Sequence, residues 1–215
     1  MKKTILILLV LLFIGIGIYF LTRSNKDKSN GQSNLTNTSQ VAGVQSDTII
    51  KSDSYFVGPS DAKVVIVEFS DFQCPACQYY SKEIEQVAAN YPDKVKIVFR
   101  NFPLTYHENA LPSALAAEAA GKQGKYYQMN KLLFAEQKLS EQDLIAYAKQ
   151  LGLDMDKFNA DRKSQEILDK INRDYQDGVA TGLQGTPAFY LNGEEVKFNP
   201  IFTNWKIEIE KILEK

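Results

Sequence analysis

The chain has 215 residues, of which 44% are hydrophobic and 11% aromatic, and its formal net charge is −1 at pH 7. This length allows one domain with appended segments, and the composition is typical of a packed globular core. Positive and negative charges are mixed along the chain, without a basic stripe or an acidic tail, which argues against a nucleic-acid partner.

The chain begins with an apolar segment. Residues 4–21 carry no charge and follow Lys2 and Lys3. A helix of this length is about 27 Å long, close to the roughly 30 Å hydrocarbon core of a bilayer. Signal peptides usually have a shorter apolar region and a small-residue cleavage site, so we favour a transmembrane anchor over residues 1–21, with a cleaved signal peptide as the alternative.

A polar segment separates this apolar run from the rest of the chain. Residues 22–47 are rich in Ser, Asn, Gln and Thr and contain no aromatic residue. Such a segment cannot bury enough apolar surface to offset the entropy lost on ordering. We therefore predict a flexible linker over 22–47 and a folded domain over 48–215.

The domain opens with a strand, a helix and a second strand. Residues 63–69 form a nearly continuous apolar run rich in β-branched residues, as in a strand covered on both faces. Pro75 favours the first turn of a helix, and apolar residues recur at helical spacing up to Asn90. Residues 95–99 form the second strand, which completes a βαβ unit of an α/β sheet.

The pattern is then helical over about 107–181 and returns to β afterwards. Five helices are predicted there, at residues 108–120, 125–136, 140–152, 155–160 and 164–181. Residues 187–191 and 194–198 are two short strands, and the Asn192-Gly193 pair between them indicates a tight hairpin. An amphipathic helix over 201–213 ends the chain.

The only two cysteines of the chain are Cys74 and Cys77, and they flank Pro75 and Ala76. On a strand-to-helix turn, Cys74 lies at the helix N-terminus and Cys77 one turn further on, so their sulfurs can form a small disulfide. The helix dipole favours a Cys74 thiolate by at most about 2 kcal/mol, or roughly 1.5 pKa units. A larger shift would need direct N–H···S bonds. The pair predicts a redox couple in which Cys74 exchanges with substrate and Cys77 resolves the mixed disulfide.

Glu68 stands in an apolar strand six residues before Cys74. A carboxyl group in such a strand is costly unless it has a function. We interpret Glu68 as a buried acid that relays protons to or from Cys77. The alternative is a solvated carboxylate at the sheet edge.

Three segments resemble the DsbA-like thioredoxin-fold thiol:disulfide oxidoreductases, in particular their membrane-anchored, BdbD-like members. They are residues 68–77 (EFSDFQCPAC), 100–110 (RNFPLTYHENA) and 185–193 (GTPAFYLNG). The resemblance implies a thioredoxin fold with a central mixed sheet and an inserted helical domain. By position it makes Cys74 and Cys77 the redox-active pair and Glu68 the buried acid.

The resemblance also implies a substrate-binding loop. Pro187 matches the family's cis-proline, and Thr186 before it would offer backbone hydrogen bonds to an extended substrate. The alternative is an ordinary trans proline at the start of an edge strand. One position departs from the family, because strongly oxidising members carry a histidine where this chain has Ala76. We therefore expect a Cys74 pKa above that of the histidine-containing sites, and a less oxidising couple.

Metal and haem sites are disfavoured, and no cofactor is expected. Structural zinc needs four Cys or His ligands, and this chain has two cysteines and only His107. The haem-attachment motif needs a histidine directly after the second cysteine, where Gln78 stands.

The resulting hypothesis is a monomeric extracytoplasmic dithiol oxidase that introduces disulfides into reduced exported proteins. It is anchored in the cell membrane, or secreted if residues 1–21 are cleaved. Disulfides persist outside the cytosol, which favours the oxidase direction. The resemblance implies a membrane quinone-dependent partner that reoxidises the couple. A reductase or isomerase is the first alternative. A membrane-tethered peptide-binding module with a structural disulfide is the second, although so short a loop is a poor staple.

Overall fold

The computed structural model describes residues 46–215, with side chains from residue 48 onward. The predicted anchor or signal peptide at 1–21, and all but the last two residues of the predicted linker at 22–47, lie outside this range. Within the described part of the chain, no helix is both long and apolar enough to cross a bilayer.

The described residues form five strands and eight helices. The strands are β1 (Phe56–Val57), β2 (Val64–Ser70), β3 (Val95–Asn101), β4 (Ala188–Leu191) and β5 (Glu194–Glu195). The helices are α1 (Ser46–Ile49), α2 (Pro75–Asn90), α3 (Ala110–Gly121), α4 (Tyr126–Glu136), α5 (Glu141–Gln150), α6 (Met155–Asp161), α7 (Gln165–Ala180) and α8 (Phe202–Leu213). Helices α3 to α7 therefore lie between β3 and β4, within the helical stretch predicted at about 107–181.

The five described strands form one mixed sheet in the order β1-β3-β2-β4-β5. The β2–β3 pair is parallel, and the other three pairs are antiparallel. The prediction of an α/β fold with a central mixed sheet is confirmed. Strand β2, which carries Glu68, lies in the middle of the sheet rather than at an edge.

The sheet separates two groups of buried side chains. Ile66 belongs to the larger group, together with both cysteines, Trp205 of α8 and many residues of α3 and α4. Val67 and Phe69 point to the other face and pack with Ile49 of α1 and Tyr175 of α7. Since strand residues alternate between faces, Glu68 lies on the same face as Ile66 and the cysteines.

Several local predictions are confirmed at single residues. Ser140 caps α5 with a reciprocal capping box to Asp143. In the β4–β5 turn, Asn192 has φ of 49° and Gly193 has φ of 88°. Two consecutive positive φ values match the tight turn that an Asn-Gly pair favours.

One strand is shorter than predicted. β5 was expected at 194–198 but ends at Glu195. Val196 still donates its N–H to Phe189, and the chain then leaves the sheet, so that the Phe198 ring packs edge-on against Trp205 at 5.0 Å between centroids. Burial of the Phe198 ring against α8 therefore replaces further pairing at the sheet edge.

Candidate active site: two thiols at the start of a helix

Cys74 and Cys77 lie at the N-terminus of α2, as the sequence predicts. Cys74 is the N-cap residue, with extended backbone angles (φ −75°, ψ 122°), and Pro75 begins the helix. Both thiols are free, and their residues are 7% and 0% exposed, whereas Pro75 and Ala76 between them are exposed. The motif therefore presents its two middle residues to solvent and leaves only Cys74 within reach of a substrate.

The environment of Cys74 favours its thiolate. A hydrogen bond from the Cys77 side chain is the largest cause that lowers the pKa of Cys74, and the backbone N–H groups of Cys77 and Ala76 add to it. Burial opposes them, and the resulting pKa is about 5, against an ordinary value of 9.0. This shift exceeds what the helix dipole alone supplies, so direct hydrogen bonds to the sulfur contribute, as expected. The value lies between about 3.5 for DsbA and about 7 for thioredoxin.

Cys77 is the opposite case. Burial raises the pKa of Cys77 well above its ordinary value, and the hydrogen bond to Cys74 adds to the effect. The backbone N–H of Asp71 lies 3.5 Å from the Cys77 sulfur and acts in the other direction. The two thiols thus have pKa values on opposite sides of neutrality, which separates an outer nucleophile from an inner thiol that keeps its proton.

The loop before β4 faces the outer thiol. The Thr186–Pro187 peptide bond is cis, as predicted. The Cys74 thiol donates a hydrogen bond to the carbonyl oxygen of Thr186 at 3.4 Å. The structure thus brings together Cys74 and a loop that lies more than a hundred residues further along the chain.

Glu68 is buried, and the alternative of a solvated carboxylate is wrong. The residue is 2% exposed, and its Oε1 atom has no hydrogen-bond partner. Burial raises the pKa of Glu68 to about 8, although a hydrogen bond with the Ser70 side chain partly offsets the effect. A carboxyl group with this pKa can release or take up a proton near neutral pH. Its role in proton transfer to Cys77 stays a prediction.

The contact between Asp71 and His107, near the motif, was not predicted from the sequence. Asp71 is 1% exposed, and its Oδ2 atom lies 2.8 Å from Nδ1 of His107. His107 is the only histidine of the chain, and in the sequence it entered only the argument against a zinc site. An acidic residue directly after a buried strand was the available signal.

Within residues 46–215, no cluster of three or more His, Cys, Asp or Glu side chains could hold a metal ion.

The family model described as Thioredoxin matches residues 51–211. The chain belongs to the thioredoxin family. The match covers every described strand and both cysteines. Solved structures of DsbA-like proteins share this fold, so the resemblance to DsbA-like proteins is confirmed for the fold.

Two of these structures are the thiol-disulfide exchange protein α-DsbA2 of Wolbachia pipientis and oxidised BdbD of Bacillus subtilis. The first is 21% identical with a TM-score of 0.70, over 77% of this chain and 90% of that one. The second is 22% identical with a TM-score of 0.65, over 74% and 92%. Identities this low show the fold alone.

Closer sequence similarity comes from a different kind of protein. The Na⁺/H⁺ antiporter NhaA 1 of Mycobacterium sp. strain KMS is 35% identical over 144 residues. That match covers 65% of this chain but only 24% of the antiporter. The chain thus spans about a quarter of the length of the curated relatives it matches.

Proposed function

We propose that this chain is a thiol:disulfide oxidoreductase that oxidises dithiols in exported proteins through the Cys74–Cys77 couple. The observation that carries this proposal is the pair of free thiols at one helix start whose pKa values are shifted in opposite directions. The thioredoxin family match and the DsbA-like fold support the same reaction.

The reaction starts from the Cys74–Cys77 disulfide. A substrate thiolate attacks the Cys74 sulfur, the bond between the cysteines breaks, and Cys77 leaves and takes up a proton. A second substrate thiolate then attacks the substrate sulfur of the mixed disulfide and releases Cys74 as a thiolate. The substrate loses two electrons and the couple gains them. Glu68, which is protonated at neutral pH because of its raised pKa, is the proposed proton donor to Cys77.

The low pKa of Cys74 supports the oxidase direction. A thiol with the ordinary pKa of 9.0 is protonated at pH 7, so ionisation does not stabilise the dithiol form. Cys74, with a pKa of about 5, is ionised from two pH units below neutrality upward. For a two-electron couple, each such pH unit stabilises the dithiol form by about 30 mV. The site therefore raises the reduction potential by about 60 mV over that of an unperturbed pair.

The cellular setting is part of the proposal. Residues 1–21 would anchor the chain in the cell membrane, with the catalytic domain on the extracytoplasmic side, where disulfides persist. A solved periplasmic thioredoxin-like protein of Salmonella enterica serovar Typhimurium, 17% identical with a TM-score of 0.66, shares the fold. After each turnover the dithiol must be reoxidised, and we propose a membrane quinone-dependent partner for this step.

The test is oxidation of a reduced two-cysteine peptide by the oxidised protein, with the potential of the couple measured against glutathione buffers. We expect stoichiometric peptide oxidation by the wild type and none by Cys74→Ser. A Cys77→Ser variant cannot form the couple, and it should instead form a mixed disulfide through its Cys74 thiolate when it is mixed with the oxidised peptide, whose own disulfide is broken in that step. If the couple instead reduces a target disulfide at the redox potential of its surroundings, the chain acts as a reductase. A Cys74→Ser variant that keeps its full biological activity would favour the peptide-binding module.

A further inference from the structure

The loop between β2 and α2 contacts both cysteines through the backbone of one residue. Asp71 donates its backbone N–H to the Cys77 sulfur at 3.5 Å, and its carbonyl oxygen accepts from the Cys74 N–H at 3.1 Å. Within the loop, Oδ1 of Asp71 accepts from the backbone N–H of Gln73 at 2.7 Å. This side-chain turn is a conformation that aspartate favours.

The other carboxylate oxygen of Asp71 is bound by the segment that leads into α3. Oδ2 accepts from the backbone N–H of Leu104 at 2.9 Å and lies 2.8 Å from Nδ1 of His107. A carboxylate can only accept, so this contact requires a proton on Nδ1. A second hydrogen bond connects the same two segments, since the backbone N–H of Asn109 donates to the Gln73 side chain at 2.6 Å.

These contacts place a hydrogen-bond donor where negative charge develops. The buried Cys77 sulfur becomes anionic when it leaves the disulfide in the proposed oxidation. It also becomes anionic in the reverse direction, when its thiol loses a proton and attacks a mixed disulfide on Cys74. The backbone N–H of Asp71 already points at that sulfur and lowers the pKa of Cys77 against the larger effect of burial. A donor fixed in advance assists such a step because it needs no reorganisation during the reaction.

We propose that Asp71 and His107 are positioning residues for the step that breaks or forms the Cys74–Cys77 bond, in which the imidazole holds the Asp71 carboxylate so that the Asp71 N–H stays on the Cys77 sulfur. The inference rests on the proposed function and adds a role for the segment that precedes the helical stretch. His107 touches neither sulfur. Its contribution is to the reaction of Cys77, while Cys74 keeps the hydrogen bonds from Cys77 and Ala76 that favour its thiolate.

The test separates attack from resolution with the aromatic disulfide dithiobis(nitrobenzoate). The Cys74 thiolate attacks the probe and releases one coloured nitrobenzoate thiolate. Cys77 then loses its proton, attacks the Cys74 sulfur and releases a second one, which leaves the Cys74–Cys77 disulfide. The two releases are recorded by stopped-flow absorbance on the same reduced sample.

In His107→Ala we expect the first release within about twofold of the wild type and the second release slower by about 3- to 10-fold. The range corresponds to the net effect of one hydrogen bond. His107→Asn can place an amide nitrogen near the position of Nδ1 and should restore the second rate. Gln78→Ala is the matched control, since it removes another tie from α2 to the helical stretch, the bond to the Phe134 carbonyl, without touching Asp71.

The outcomes distinguish this proposal from the function on which it rests. Equal slowing of both releases in His107→Ala, an unchanged second rate, or no rescue by His107→Asn would contradict the positioning role. A wild type that releases only one equivalent, or none, contradicts the proposed function itself.

A second measurement needs no variant. Because His107 is the only histidine of the chain, its ring nitrogen resonances can be read directly by NMR. We expect them to differ between the dithiol and disulfide forms, since Asp71 links the ring to the redox pair. Identical resonances in the two forms would overturn the proposal even if His107→Ala does not fold.

Discussion

Replacing Glu68 with Gln removes a carboxyl group that is 2% exposed and has an Oε1 atom without a hydrogen-bond partner. In the native protein, burial keeps this carboxyl protonated up to about pH 8, against an ordinary value of 4.5 in the unfolded chain. Between these two pH values the native state binds one more proton than the unfolded state. Stability therefore falls as the pH rises, and the variant lacks this loss.

The size of the effect follows from the two pKa values. The loss is below about 1 kcal/mol at pH 5, about 3 kcal/mol at pH 7 and about 4 kcal/mol at pH 8. Glu68→Gln should thus gain about 3 kcal/mol of stability relative to the wild type between pH 5 and pH 8. In the dithiol form Cys74 acts in the opposite direction, because its lowered pKa adds stability as the pH rises from about 5 to 9. Cys74 is common to both proteins, so its contribution cancels in their difference.

The assay is urea unfolding of both proteins in the dithiol form at pH 5, 6, 7 and 8. The exposed residue Glu214 supplies a matched control, Glu214→Gln, for the loss of a carboxylate elsewhere. The decisive quantity is the difference in unfolding free energy between the wild type and Glu68→Gln. If it stays constant within about 0.5 kcal/mol over this pH range, the raised pKa of Glu68 and the burial argument behind it are refuted. Exchange rates measured on the same samples test the proton relay, and rates that Glu68→Gln leaves unchanged across pH would remove Glu68 from the mechanism.

Three further predictions concern the couple and the packing around it. Ala76→His should lower the pKa of Cys74 by about one unit and raise the reduction potential by about 30 mV, as measured against glutathione; an unchanged potential would contradict it. Asp174→Asn should cost about 3 kcal/mol in urea unfolding, because the carboxylate is 1% exposed and accepts from Arg100 Nε at 2.7 Å; a cost below about 1 kcal/mol would show that the buried pair is not needed. Gly178→Ala should lower the unfolding free energy by about 1–3 kcal/mol, because its new Cβ would lie 2.7 Å from the Phe102 ring. A variant as stable as the wild type would show that this ring can move.

The elements with strong local signals could be predicted from the sequence, and the weakly marked ones could not. Pro75 at the start of α2 and the capping box at Ser140 depend on neighbours in the chain, so their positions were correct. Helix α1 (Ser46–Ile49) and strand β1 (Phe56–Val57) were missed, because they have only four and two residues. Segments this short are held by packing and pairing with distant parts of the chain rather than by their own pattern.

The redox pair and its place at a helix start followed from the sequence alone, because the spacing of Cys74 and Cys77 and the proline between them act within one helical turn. The tertiary structure determined the protonation states of the groups in the site. It buried Glu68 in the middle of the sheet, brought Thr186 to the Cys74 sulfur and set His107 against Asp71. Burial and long-range hydrogen bonds determine a pKa, and neither can be read from residues that are distant in the chain until the fold brings them together.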